Sequence, residues 1–199
     1  MRALLLCLTL AAGCGPAQRG RVAETPRRAP PDERALCELA AGQAAGWRGL
    51  APFDPAHVPA CLGARAEAST LTLHDRDWRF QRYASPAAET WLYDDGNAVA
   101  LIAVFPSSPL PSGPLEAALG PAPWKREVTF AERLERPALP PLTHYEGEWV
   151  YADRGLAILV AARADGSRWV HRLRGFAPTE AGAYFRRFVQ ERPVEWHGP

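Results

Sequence analysis

Two stretches of the chain share one hydrophobic rhythm. Trp149-Val150-Tyr151-Ala152-Asp153-Arg154-Gly155 leads into the apolar run Leu156 to Ala162, and Trp91-Leu92-Tyr93-Asp94-Asp95-Gly96-Asn97 leads into Ala98 to Phe105. Each reads as a strand, a tight turn and a second strand. Pro52 to Gly63 and Pro109 to Gly120 form a second matched pair, each a turn with a short helical piece ending in Leu-Gly: Leu62-Gly63 and Leu119-Gly120. Ser112 is placed to cap the second piece. The two landmarks predict one helix-plus-strands unit used twice, over about 52–105 and 109–174. A rival alignment pairs Asp95-Gly96 with Asp165-Gly166.

Alternation also predicts strands at Thr70 to Leu73, Trp78 to Phe80, Glu89 to Tyr93, Glu127 to Phe130, His144 to Tyr151 and Arg168 to Arg174. Residues 131 to 142 are rich in proline and read as a loop. A helix is predicted over Asp32 to Trp47, started by Pro31-Asp32 and ended by Gly46 and Gly49, with Leu36, Leu39, Ala40, Ala44 and Trp47 on its apolar face. A last helix, capped by Thr179, places Ala181, Tyr184, Phe185, Phe188 and Val189 on one face and Arg186, Arg187 and Gln190 on the other. Trp196 and His197 fall in a tail after Pro193. Strand links are short hairpins rather than helical crossovers, so the expected class is α+β with an antiparallel sheet and a helix towards each end.

Composition fits a folded globular protein: 47% hydrophobic residues and a formal net charge of +1, without the basic excess of a nucleic-acid binder. The N-terminus adds an address. Met1-Arg2 precedes ten largely apolar residues, a secretory signal too short to span a bilayer. It ends Leu10-Ala11-Ala12-Gly13-Cys14. These residues resemble the lipobox of bacterial lipoproteins, with Ala11 where leucine is usual. The resemblance implies a signal over 1–13, a lipidated Cys14 and a membrane partner reached through that lipid. Several acyl chains, at about 0.8 kcal/mol per buried CH₂, anchor stably where one would not. Gly15 in place of Asp implies, by the same resemblance, the outer membrane. Residues 14–31, with four prolines and four arginines, read as a solvated tether, and 32–199 as the globular part.

With Cys7 in the signal and Cys14 lipidated, Cys37 and Cys61 remain. Outside the cytoplasm such a pair forms a disulfide; the alternatives are two buried thiols or a metal site, and no CxxC spacing favours metal.

No nucleophile elbow or phosphate-cradling glycine loop occurs, and no cofactor is expected. His74-Asp75-Arg76-Asp77 reads as a turn. His144, Glu146 and Glu148 share one face of an alternating strand and could hold a divalent ion, but they read more simply as its wet face, with Tyr145, Trp149 and Tyr151 opposite. Trp91, Tyr93, Trp149 and Tyr151 are the candidate partner-binding residues, since Trp and Tyr dominate binding hot spots; the competing reading makes them core.

Leu62-Gly63 and Leu119-Gly120-Pro121-Ala122-Pro123 resemble the segment that ends the second helix in the β-lactamase inhibitor proteins and in the small outer-membrane assembly lipoproteins of the SmpA/OmlA type. That resemblance implies a sheet surface that binds another protein. The first copy departs from it, with Ala64-Arg65 and no nearby proline. The expectation is a non-catalytic, lipid-anchored envelope protein that binds a protein partner or supports assembly. The alternative is an inhibitor or a small-ligand or glycan binder using an aromatic sheet face.

Overall fold

The computed structural model describes residues 30–73, 76–128 and 142–189. Cys14, the tether up to residue 29, His74, Asp75, most of the proline-rich loop and the tail with Trp196 and His197 lie outside them.

The strands are β1 (Ala64–Leu73), β2 (Arg76–Ala84), β3 (Ala88–Asp94), β4 (Val99–Pro106), β5 (Leu110–Pro111), β6 (Trp124–Arg126), β7 (Leu142–Tyr151), β8 (Leu156–Arg163) and β9 (Arg168–Phe176). The helices are α1 (Glu33–Ala40), α2 (Gly113–Leu119) and α3 (Ala181–Phe188), with short 3-10 turns at Ala60–Leu62 and Ala152–Arg154. The strands form one sheet in the order β1-β2-β3-β4-β9-β8-β7-β6, with β5 also paired to β9. Every pairing between described strands is antiparallel.

The sheet separates two cores. On one face, Leu36 and Leu39 of α1, Leu115 and Leu119 of α2, and Trp47, Leu50 and Phe53 pack against Leu92, Ile102, Ile158 and Leu173. On the other, Tyr184, Phe185 and Phe188 of α3 pack with Trp78, Phe80, Leu101 and Phe176. The near-continuous apolar runs of β4 and β8 follow from this, because a central strand covered on both faces buries every side chain. Phe176 stacks on Tyr184 with ring centroids 4.5 Å apart.

Several boundaries differ from the sequence reading. Asp32 caps α1 as expected, its carboxylate accepting from Ala35 N at 3.0 Å, but the helix stops at Ala40. Gly42, at φ +80°, takes the chain out of the helix, and a Cβ there would lie 2.8 Å from Leu110 Cδ2. Ala44 and Trp47 still reach the core, from turns rather than a helical face. Glu180, not Thr179, occupies the N-cap of α3; the Thr179 N–H donates instead to Ala152 O at 2.9 Å. Ser112 does precede α2, yet its hydroxyl donates to the Glu116 carboxylate at 2.8 Å and accepts from no N–H of the helix's first turn. β1 begins six residues before Thr70. The strand expected at Glu127 to Phe130 lies earlier, at Trp124–Arg126; residues 127 and 128 are not in a strand, and 129–130 are outside the described residues.

Cys37 and Cys61 form a disulfide with Cα atoms 5.7 Å apart, fastening α1 to the turn that enters β1.

The central pair is β4 with β9, and the sheet grows outward by β3, β2, β1 on one side and β8, β7, β6 on the other. Matching Trp91 to Trp149 therefore sets β3 against β7, which stand at different distances from the centre. Asp95-Gly96 and Asp165-Gly166, by contrast, both lie in the turns joining a central strand to its inner neighbour.

Candidate functional site

The four aromatics singled out in the sequence do not form one surface. Trp91 and Tyr93 point to the α3 side of the sheet, Trp149 and Tyr151 to the α1 and α2 side. Tyr93, Trp149 and Tyr151 are 5%, 4% and 3% exposed. The Tyr151 hydroxyl donates to Gly120 O at 2.9 Å, and burial, then Glu116, pushes its pKa up. Lys125 Nζ lies 5.1 Å and Arg168 Cζ 5.5 Å from the centre of the Trp149 ring. Only Trp91 of the four is half-exposed; it meets Phe105 and Phe80 with centroids 4.6 and 5.3 Å away, and its Nε1 donates to Glu89 at 2.6 Å. Three of the candidates thus belong to the packed interior.

The polar triplet of β7 is also divided. Bulges between Leu142 and His144 and between Tyr145 and Gly147 break the alternation, so Glu148 turns inward while His144 and Glu146 stay exposed. Gly147, at φ +142°, makes the second bulge possible; a Cβ there would sit 2.6 Å from Arg126 O. Glu148 is therefore a core residue and not part of a wet face. Among the described residues no three His, Cys, Asp or Glu side chains group to hold a metal ion.

Glu148 is instead the centre of a buried ion network. Its Oε2 accepts from Arg126 Nη2 at 2.6 Å, Arg126 Nε at 2.8 Å and the Tyr184 hydroxyl at 3.0 Å. Its Oε1 accepts from Arg172 Nη2 at 3.2 Å and, more weakly, from Arg174 Nη1 at 3.5 Å. Arg174 Nη1 also donates to the Tyr184 hydroxyl at 3.2 Å. Sequence reading missed this set; a signal was available in the alternating Arg172 and Arg174 of a strand that must be central. A carboxylate with both oxygens engaged by cationic donors is poorly disposed to act as a base, and Tyr184, its phenol pushed well up by burial and by Glu148, stays a protonated donor. The network ties β6, β7, β9 and α3 together.

Two surface features remain. A groove of about 690 Å³ opens beside the start of α3, its apolar lining including Trp124, Ala152 and Phe185 and its polar lining Asp153, Glu180 and Arg186. The second feature is the contrast between the sheet's two ends. β6 has three residues, lies just after Pro121 and Pro123, and carries Lys125 and Arg126. β1 has ten residues, and Ala64 through Thr70 are exposed along its length. Its charges, Arg65 and Glu67, flank a bulge at its beginning, and Ala68-Ser69-Thr70-Leu71-Thr72-Leu73 holds no charge, proline or glycine. Glu67 is engaged by Arg82 of β2 at 3.2 Å.

No protein family, curated protein or solved structure matches this chain.

Proposed function

We propose that the chain is a non-catalytic cell-envelope lipoprotein, anchored through Cys14, that binds another protein by strand addition along β1. The observation that carries the reading is the open edge. Natural sheets blunt their edges with charge, proline, bulges or shortness. β6 is short, follows two prolines and carries Lys125, whereas Ala68 to Leu73 of β1 holds no charge, proline or bulge. An exposed edge of this kind presents alternate backbone N–H and C=O groups to an incoming strand. The Cys37–Cys61 disulfide supports an oxidising compartment, in keeping with the lipobox resemblance. The mirrored strand order supports two units joined at β4 and β9, aligned as the Asp-Gly turns align.

A photo-crosslinking residue at Ser69, compared with one at exposed Ser108, tests the reading in native membranes. Protein adducts concentrated at position 69, and reduced by Cys14→Ser, are expected. Equal or absent labelling at the two positions overturns it.

The groove beside Trp124 and Phe185 favours a second reading, a small-ligand module, because its volume lies in the range of ligand sites. Ligand-induced shifts in melting temperature, lost in Phe185→Ala, would support it.

A further inference from the structure

We infer that the strand received by β1 is β1 of a second copy, the two pairing antiparallel about a two-fold axis at Thr70. The inference rests on the reading of β1 as the docking edge. Past the bulge, the regular part of β1 runs from Glu67 to Leu73, and Thr70 is its midpoint. An antiparallel pair related by a two-fold axis must set residues of equal parity opposite one another, so that outward backbone groups meet outward groups. Centring on Thr70 satisfies this. It places Thr70 opposite Thr70, Ser69 opposite Leu71 and Ala68 opposite Thr72.

The side chains agree with the geometry. No charge of one copy faces a like charge of the other in this register, and Arg65 and Glu67 are left at the outer ends. Thr opposite Thr is a favourable cross-strand pair. The charges beside this edge are engaged within their own sheet, Glu67 by Arg82 at 3.2 Å, Asp77 by the Thr72 hydroxyl at 2.8 Å and Arg79 by Asp94 at 3.8 Å, so an uncharged strand such as its own is the better match. Leu71 packs partly buried against the α3-side core, beside Trp78 in the register with β2. In the paired state the two Leu71 side chains become diagonal neighbours on the same face. Each then covers the flank of the other's core, and the two sheets run on as one.

The test uses the full lipidated chain. Thr70→Cys in native membranes under a mild oxidant is expected to give a covalent dimer, while Ser108→Cys gives none. Sedimentation equilibrium in density-matched detergent is expected to give the mass of two protomers for the native chain and of one for Thr70→Lys, which sets two ammonium groups face to face at the axis. Thr70 is exposed, so this substitution leaves the fold intact, as an unchanged near-ultraviolet circular dichroism spectrum will verify. Failure of either the crosslink or the mass difference overturns self-pairing. If the Ser69 probe still captures a different protein after such a failure, edge docking stands and only the second copy is wrong; if it captures nothing, both readings fall.

Discussion

The hydroxyl of Tyr184 donates to the Glu148 carboxylate at 3.0 Å, joining α3 to β7 through the buried side of the sheet. Glu148 is 0% exposed and holds three arginines around it, so removing its charge leaves cations clustered in the interior. Glu148→Gln is expected to destabilise the protein by about 3–5 kcal/mol. Tyr184→Phe keeps the shape and loses the charge-assisted bond, a loss of about 1.5–3 kcal/mol. Urea unfolding at neutral pH measures both.

The same phenol sets an alkaline limit. Its folded pKa is raised by burial above the ordinary value of about 10, so the folded state keeps its proton more tightly than the unfolded chain does. Its contribution is fully present below about pH 10 and is lost as pH rises from there towards the folded value. Urea midpoints should therefore fall more steeply above about pH 10 in the native chain than in Tyr184→Phe.

Trp149→Ala is expected to cost about 3–5 kcal/mol, as truncation of a large core residue does. Trp91→Ala, at a half-exposed position, should cost about 1–2 kcal/mol. Melting temperatures of the two variants give the comparison; equal losses would contradict the burial described for them.

Opening the Cys37–Cys61 bridge releases a loop with a sequence separation of 24. The paired Cys37→Ala and Cys61→Ala variant is expected to lose about 3 kcal/mol. Its urea midpoint should be insensitive to reductant, while that of the native chain falls on reduction.

Gly155 has φ +61°, and a Cβ there would collide with Phe176 O while lying 3.0 Å from Gly49 Cα. Gly155→Ala should cost about 2 kcal/mol or more. Gly96, at φ +92° with open space around it, should cost about 1 kcal/mol as alanine. Chemical unfolding of the two variants separates backbone conformation from collision.

The parts legible in the sequence were those set by composition over a whole element. Ala98 to Phe105 and Leu156 to Ala162 announced strands because a run covered on both faces has no polar position to give up. Asp32 announced a helix start because a carboxylate before a helical pattern has one local use. What was not legible depended on partners far along the chain. Under strict alternation Glu148 faces solvent; the bulge that turns it inward comes from a glycine at 147, a residue type that in a strand often marks such a break. Trp91 and Trp149 look equivalent because both precede tyrosine by two, yet the registers that pair Trp91 with Ala103 and Trp149 with Ile158 put them on opposite faces. The exit from α1 at Gly42 rather than Gly46 brings the chain against Leu110, nearly seventy residues away by the numbering.

The meeting of β4 with β9 also orders events in time. During synthesis the N-terminal half is made first, and the inner edge of β4, an almost unbroken run of apolar residues, has to wait for β9, late in the chain, to emerge. Until then an incomplete chain carries two sticky borders, that one and β1. Clean folding then depends on holding the whole chain unfolded, or escorted, until β9 arrives.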